Sequence, residues 1–366
     1  MGVRATFLRH PTLRWLIPLA VVGGISLTAA GVFSAQASPN LPPRTAAQLL
    51  ADIETAQVNG MSGTIVANAD LGLPNLPNVG GGSASSENLL DLLRGSHTAR
   101  VWYAGPTKQR IALLDAVGET DVFHNGTDLW QWSSADKTAI HTQLPNGGEN
   151  LFRDHPTTLT PEQLAKEALD AIDPSTKVDT DANRRVADRA AYELVLTPKD
   201  TTSRIGSVHI AVDGEYKIPV GVQVFARGAP SSPALDVSFT RLSFRVPGDA
   251  QFSFTPPSGA HVQESVAPEK PHGDKMFPLE PDVSPSHPRV TTIGTGWTTV
   301  VETDMGSDSQ RVRQAQEALG GLTRVSGTWG SGYLFDSKLV TALLTDDGRL
   351  FAGAVDPQVL YAAAHK

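Results

Sequence analysis

Apolar and polar residues alternate along much of this chain, with the period of two that is typical of strands buried on one face. In the clearest runs the alternation starts at Tyr192, Val208 and Tyr216, and the last run continues to Val224. Asp213-Gly214 stands between the last two runs and predicts a hairpin turn. We therefore predict long antiparallel strands that each bury one side.

One of these runs changes phase. The apolar residues from Leu235 to Phe239 occupy odd positions, whereas those from Leu242 to Val246 occupy even ones. A slip of one residue would turn every later side chain to the other face of a strand. The pattern therefore predicts a bulge or tight bend near Thr240.

Two segments before residue 180 have helical periodicity instead. Residues 45–58 form the first, with Thr45 as its cap, and residues 159–172 form the second, with Thr160 as cap and Pro161 in the first turn. Between them, residues 98–141 read as a meander of short strands separated by turn residues.

The N-terminus has the features of an export signal. Basic residues are followed by an apolar run from Trp15 to Phe33 and then by the small-x-small pattern Ala35-Gln36-Ala37. Residues 1–37 are therefore predicted to be a cleaved signal peptide or a retained N-terminal transmembrane anchor. Either alternative places the rest of the chain outside the cytoplasm, secreted or anchored in the cell envelope.

The C-terminal part reads as a separate small unit. Residues 266–290 are rich in proline and lack periodicity, which is typical of a semi-rigid linker. Beyond it we predict strands at 297–302, 322–328, 339–345 and 350–355, a helix at 310–319, and a last helix capped by Asp356. The predicted domains are thus 38–265, the linker 266–290, and an α+β module at 291–366.

Composition and charge exclude several classes of function. The net charge is −8, and Arg4, Arg9 and Arg14 lie in the leader, so the remainder is still more acidic. Such a chain is not expected to bind nucleic acid. It has no cysteine, and its ten histidines are scattered, so no metal site and no cofactor are predicted.

No catalytic residues are predicted either. The pattern Ser134-x-x-Lys137 occurs in some acyl-transferring enzymes, where it opens a helix, but here it follows a strand as a turn. We therefore predict that the protein is not an enzyme, and keep a hydrolase only as a third alternative.

Four segments, in order, resemble one family. They are Val101-Trp102-Tyr103-Ala104-Gly105-Pro106, Asn125-Gly126-Thr127-Asp128-Leu129-Trp130, Tyr192-Glu193-Leu194-Val195-Leu196-Thr197-Pro198-Lys199 and the stretch from Phe252 to Ala260. Over about 200 residues their order and spacing are similar to those of the LolA/RseB family of extracytoplasmic lipid-handling proteins.

The resemblance implies an α+β fold in which a curved antiparallel sheet forms an unclosed half β-barrel capped by helices, with the small module in addition. An apolar cavity between sheet and helices would receive acyl chains. The alternative is that the same side chains pack a closed core, and the tryptophans could equally line the cavity or pack against the sheet. The candidate lining residues are Trp102, Ile111, Leu113, Val122, Leu129, Trp130, Leu194, Leu196, Val208, Ile210, Val222 and Val224.

The implied function is an extracytoplasmic lipid- or lipoprotein-binding protein, a LolA-like carrier whose partner is a lipid or an acylated lipoprotein. Lipoprotein carriers of the family commonly have an arginine directly before the proline of the first segment, and this chain has Gly105 there. The alternative is an RseB-like sensor of envelope stress that regulates an anti-sigma factor, with the C-terminal domain binding a membrane protein.

Overall fold

The computed structural model describes residues 41–72, 94–115, 118–144, 160–170, 172–266, 290–304 and 322–365. A large sheet contains twelve strands. In chain order, β1 to β12 are Met61–Asp70, Arg94–Tyr103, Lys108–Asp115, Gly118–Asn125, Asp128–Ser133, Thr138–Gln143, Thr176–Val186, Arg189–Pro198, Ile205–Asp213, Pro219–Ala226, Leu235–Ser243 and His261–Val266. Helix α1 is Ala46–Thr55 and helix α2 is Pro161–Asp170.

The large sheet consists of two meanders joined at its centre. Its strand order is β12-β6-β5-β4-β3-β2-β1-β11-β10-β9-β8-β7, so β1 and β11 form the seam between the meanders. All neighbours are antiparallel except β12, which pairs in parallel with β6. The sheet is curved and does not close into a barrel, since β12 and β7 remain at its two ends. The predicted half-barrel is confirmed.

The predicted irregularity near Thr240 lies at this seam. Thr64 pairs with Arg241 and Ile65 pairs with Phe239, so Thr240 is an extra residue on β11. Its hydroxyl donates a hydrogen bond of 3.2 Å to the carbonyl oxygen of Thr64. The bulge keeps apolar residues on the buried face on both sides of the slip.

The turn between β9 and β10 is longer than the two-residue hairpin expected from sequence. Strand β10 begins at Pro219 rather than at Tyr216. The carboxylate of Asp213 accepts the backbone N–H of Tyr216 at 2.8 Å, and Lys217 has a left-handed φ of 60°. The Tyr216 ring stacks on Phe244 with centroids 3.7 Å apart, so side chains of this turn are packed like those of a strand. This is why the alternation of apolar and polar residues extends beyond the strand into the turn.

Both helices begin where the sequence predicts. In α1, Thr45 and Gln48 form a reciprocal capping box, and in α2, Thr160 and Gln163 form the same pair of hydrogen bonds at 3.2 Å each. The helices cover one face of the sheet, where Leu49 of α1 and Leu164 of α2 join the main hydrophobic core.

A second sheet of six strands follows the linker. Strands β13 to β18 are Val290–Ile293, Val300–Asp304, Thr323–Gly327, Gly330–Asp336, Thr341–Thr345 and Arg349–Gly353, in the order β13-β14-β18-β17-β16-β15. Helix α3, Pro357–Ala364, packs against it around Leu343, Phe351 and Leu360.

The C-terminal predictions hold in part. Where a strand over 297–302 was expected, a 3₁₀ turn at Gly296–Thr298 precedes β14, and the glycine-rich β16 was not predicted. Asp356 is the N-cap residue of α3, but its carboxylate pairs with Arg204 at 3.2 Å instead of capping. The predicted helix at 310–319, the leader 1–37 and most of the linker lie outside the described residues.

The second sheet is packed directly onto the large one. Ser203 and Val355 form a bridge between them, and the backbone N–H of Arg204 donates to the carbonyl of Ala354 at 2.8 Å. Trp297, Leu339, Val340 and Ala354 belong to the same hydrophobic cluster as the core of the large sheet. The C-terminal unit therefore extends the main core.

Candidate apolar binding site

An apolar cavity lies where α2, the large sheet and the C-terminal unit meet. It is lined by residues of α2, of the region from the start of β9 through β10, and of the C-terminal unit: Leu164, Glu167, Ala168, Ile205, Val208, Val222, Val224, Leu339, Val340 and Ala354. Nine of these ten residues are apolar, so the cavity suits a hydrocarbon better than a polar ligand.

Local structure explains why these side chains converge. Leu164 and Ala168 are four residues apart on α2 and so share one face of the helix. Val208 of β9 and Val224 of β10 are paired across the sheet, which places them side by side beneath that helix. Ala354 adds only a methyl group from the C-terminal unit.

The enclosed space is small. It measures about 30 Å³, whereas a single buried water needs roughly 10–15 Å³ on the same measure. An acyl chain can therefore enter only if one wall moves. Two of these walls are α2 and the segment around Leu339 and Val340.

The candidate residues from sequence fall into four groups. Val208, Val222 and Val224 line the cavity. Leu194, Leu196 and Ile210 are completely buried in the core. These three side chains therefore fit the alternative, in which the candidate residues pack a closed core and do not line a cavity.

A further four lie on the helix-covered face in the other half of the sheet. Ile111 and Leu129 are core residues, and Leu113 and Val122 pack against that core. Ile111 pairs with Val122 across β3 and β4, consistent with a shared face. None of the four is among the residues that line the cavity.

Trp102 and Trp130 lie on the opposite face, so of the two alternatives for the tryptophans, packing against the sheet describes their environment. Trp102 pairs with Arg110, Arg110 with Phe123, and Phe123 with Trp130, so these four side chains form one cross-strand row. Neighbouring positions along a strand point to opposite faces, which separates Trp102 from Val101 in the core.

The outer row is held by stacking and charge. The Arg110 guanidinium lies 4.6 Å from the ring centre of Trp102 and 4.4 Å from that of Phe123. It also donates two hydrogen bonds, of 2.9 and 2.7 Å, to one oxygen of Asp121. Burial raises the pKa of Asp121 to about 6, although Arg110 acts in the opposite direction.

The stretch from Phe252 to Ala260 covers this outer face. Phe252 is buried, and the Phe254 ring stacks on Phe123 at 4.9 Å and contacts Trp130 at 5.4 Å. The segment has no regular structure and leads directly into β12. It explains why the outer face contains large aromatic residues, a fact that strand alternation alone could not reveal.

His141 links β12 to the neighbouring strands of the sheet. Its Nδ1 lies 2.9 Å from Glu264 of β12, its Nε2 lies 2.8 Å from Asp128, and its ring stacks on Trp130 at 4.3 Å. Burial alone would lower the pKa of His141, but the two carboxylates raise it above the usual value.

Gly105 occupies the position where lipoprotein carriers of the resembled family commonly have an arginine. Its φ is 96°, in the left-handed region, while a Cβ there would meet nothing within 4 Å. Backbone conformation, and not lack of space, therefore favours glycine in this turn.

Two arrangements resemble catalytic groups. His209 lies 3.1 Å from both Ser207 and Glu193. Ser207 is paired with Phe225 within the sheet, on a strand that lies between β8 and β10. Ser134 lies in a turn, as predicted, and its hydroxyl accepts the N–H of Glu119 at 2.7 Å.

Two kinds of feature are absent from the described ranges. Those residues contain no group of three side chains suited to hold a metal ion. The same part of the chain contains no helix long and apolar enough to cross a membrane.

No protein-family model matches the chain, and no curated protein does. Several solved structures are similar in fold. MucB in complex with MucA aligns at 15% identity over 87% of this chain and 97% of that one, with a TM-score of 0.43. A LolA superfamily protein from Nitrosomonas europaea aligns at 11% identity over 58% and 99%, with a TM-score of 0.24.

A putative outer-membrane lipoprotein-sorting protein domain from Vibrio parahaemolyticus aligns at 11% identity over 57% of this chain and 94% of that one, with a TM-score of 0.19. These likenesses concern the fold alone.

Proposed function

We propose that this protein works outside the cytoplasm as a LolA-like lipid-binding protein, holding an acyl chain between α2 and the C-terminal unit. The observation that carries the proposal is the apolar cavity whose floor is formed by Val208, Val222 and Val224. The four sequence segments that resemble the LolA/RseB family support it, as does the export signal predicted in residues 1–37.

The energetics are compatible with useful affinity. Burial of a methylene group contributes about 0.8 kcal/mol, so a chain of about a dozen methylenes contributes roughly 10 kcal/mol before costs. Moving a wall and immobilising the chain offset part of this. No charged anchor deep in the cavity is then needed.

The test uses a pair of variants on α2. Ala168→Leu adds three carbon atoms inside the cavity, while Lys166→Leu places the same side chain on the exposed side of the same helix. Protein purified without detergent is titrated with a fluorescent fatty acid and analysed by native mass spectrometry for bound lipid. We expect binding by the wild type and Lys166→Leu, and a loss of at least about tenfold in Ala168→Leu.

Absence of bound lipid and of probe binding in the wild type would overturn the proposal. Equal binding by both variants would place the lipid elsewhere. Circular dichroism of each variant checks that the fold is retained.

A second candidate function is a lipid-dependent regulatory sensor whose C-terminal unit binds a membrane protein. It is favoured by the contribution of Leu339, Val340 and Ala354 to one wall of the cavity. A ligand that displaces this wall would change the position of the C-terminal unit. The ligand would then make different contacts in the two positions of that unit, and such a difference is what a conformational switch requires.

Hydrogen exchange tests this coupling. The N–H of Lys338 donates to the carbonyl of Leu71 and that of Asp356 to the carbonyl of Thr202. On addition of the fatty acid we expect faster exchange at both amides. Unchanged exchange, with lipid demonstrably bound, would leave simple carriage as the function.

A further inference from the structure

A short connection between β16 and β17 closes one side of the cavity. It consists of Ser337, Lys338, Leu339 and Val340, and we refer to it as the 337–340 turn. Leu339 and Val340 are buried and line the cavity. The turn therefore places two apolar side chains in the cavity wall, although its backbone belongs to no helix or strand.

Hydrogen bonds within the turn fix its conformation. The backbone N–H and the hydroxyl of Ser337 both donate to the carbonyl oxygen of Val340, at 3.0 and 2.8 Å. The N–H of Val340 in turn donates to the Ser337 hydroxyl oxygen at 3.1 Å. Because these bonds are local, the turn can keep its conformation when it moves away from the large sheet.

Polar groups connect the turn to the large sheet. The backbone N–H of Lys338 donates to the carbonyl of Leu71 at 2.8 Å, and its ammonium group lies 2.6 Å from a carboxylate oxygen of Asp70. Arg204 donates to the carbonyl of Ser337 at 3.1 Å. The side chains of Lys338 and Asp70 are 41% and 67% exposed, so water can replace their ion pair at small cost.

The other wall, α2, is more deeply embedded. It buries Leu164, Ala165 and Ala168 in the main core, and Leu169 packs against that core. Displacing α2 would take these four side chains out of their contacts, whereas opening the turn takes out two, so less apolar burial is lost when the turn opens. An acyl chain that enters would itself cover the surface left by the turn.

We propose that the 337–340 turn is the gate of the cavity, held closed by the ion pair between Lys338 and Asp70, and that a bound acyl chain takes the places of Leu339 and Val340. The inference rests on the proposed lipid binding. The enclosed space of about 30 Å³ is too small for a chain beside both side chains. The ion pair then exists only in the closed state, so its removal raises the fraction of open protein and the apparent affinity in proportion.

The test measures the rate at which a neutral probe binds. A pyrene-labelled dodecanol, below its micellar concentration, is mixed with the full-length protein, and its fluorescence is followed by stopped flow. In Asp70→Asn, and in Lys338→Met, which keeps the aliphatic part of the side chain, we expect association about two- to fivefold faster than in the wild type. The dissociation rate should be unchanged, because the ion pair is already broken in the bound state.

Two comparisons assign the effect to this ion pair. The double variant should bind no faster than either single variant, because both changes remove the same contact. Asp346→Asn alters the net charge by the same amount and removes an exposed ion pair with Arg324, and neither of these residues lines the cavity. This control variant should bind the probe at the wild-type rate. Raising the salt concentration should bring the wild-type rate closer to that of Asp70→Asn.

The outcomes separate gating from lipid binding. If neither the wild type nor any variant binds the probe, lipid binding itself is wrong. If all of them bind it at the same rate, the lipid site stands and the gate is wrong. Faster association with equally faster dissociation contradicts the displacement of Leu339 and Val340 in the bound state. Additive effects in the double variant contradict the role of the ion pair.

Discussion

The indole N–H of Trp297 donates a hydrogen bond of 2.7 Å to the hydroxyl oxygen of Thr176. Trp297 precedes β14 of the second sheet, and Thr176 is the first residue of β7, the end strand of the large sheet. Both are nearly inaccessible, with exposures of 2% and 7%. The two sheets are thus joined by a buried polar contact inside a shared apolar core, and we expect them to unfold together.

Trp297→Phe should destabilise the protein by about 1–3 kcal/mol, because it leaves the Thr176 hydroxyl buried without this partner. Trp297→Ala should cost about 3–5 kcal/mol through the cavity it creates. Urea unfolding followed by circular dichroism measures both. In the double variant with Thr176→Val, part of the Trp297→Phe loss should be recovered, and purely additive effects would argue against the bond.

Arg204 links the same two units by charge. Its guanidinium lies 2.7 Å from Asp336 and also donates to the carbonyl of Ser337 at 3.1 Å. Because Asp336 is about half exposed, we expect Asp336→Asn to cost less than about 1 kcal/mol. Arg204→Ala should cost more, since it also leaves the Ser337 carbonyl without this donor. Equal losses in thermal unfolding would contradict this ranking.

Asp213 is the strongest polar determinant of the β9–β10 turn. It is completely buried and accepts hydrogen bonds from Arg189 at 2.5 Å and from the N–H groups of Glu215 and Tyr216. Asp213→Ala should cost about 3–5 kcal/mol, because a buried partner is removed. Glu215→Ala, which removes an exposed partner of Arg189, should cost less than about 1 kcal/mol.

Asp213 also predicts acid sensitivity. Burial alone would raise its pKa, but Arg189 and the turn N–H groups lower it below the usual 3.8. The stabilisation is therefore present above pH 3.8 and is lost as the pH falls through the lower pKa of the folded state. In Asp213→Asn the free energy of unfolding should depend less on pH in that acid range.

The raised pKa of His141 predicts that stability depends on pH with the opposite sign. Because Asp128 and Glu264 raise its pKa above 6.5, its contribution is fully present below pH 6.5 and is lost as the pH rises through the folded-state value. The amides of β12 should then exchange faster at alkaline pH than the intrinsic rate predicts. In His141→Gln this extra dependence should vanish, and an unchanged profile would exclude His141 as its cause.

Alternation revealed most of the large sheet, including the extra residue at Thr240, because a half-buried strand can change phase only where a residue is inserted or skipped. It could not place the tryptophans. Val101 and Trp102 are consecutive and both apolar, so the sequence does not show which one faces the helices. The answer depends on Phe254, more than a hundred residues later, which covers the outer face and allows aromatic side chains there.

The relation between the two units was also hidden in the sequence. A proline-rich segment predicts a linker before a small module, but it does not show that Leu339, Val340 and Ala354 contribute to the main core. Nothing in the local sequence pattern distinguishes a residue that packs within its own sheet from one that packs against the other sheet. The contribution of Leu339, Val340 and Ala354 to the cavity was missed for the same reason, since they are far in sequence from β9 and β10.

The seam between β1 and β11 bears on how the chain folds. From β1 to β6 and from β7 to β11 the neighbouring strands follow one another along the chain, whereas Ser62 must meet Ser243. Contacts so distant in sequence form slowly because a long loop must close first. We expect β2–β6 to gain protection early in pulse-labelled hydrogen exchange and the β1–β11 amides to gain it late. During synthesis β1 would lack its partner β11 until residue 243 has left the ribosome. A chaperone would be most needed during this interval, when the edge of β1 is unpaired.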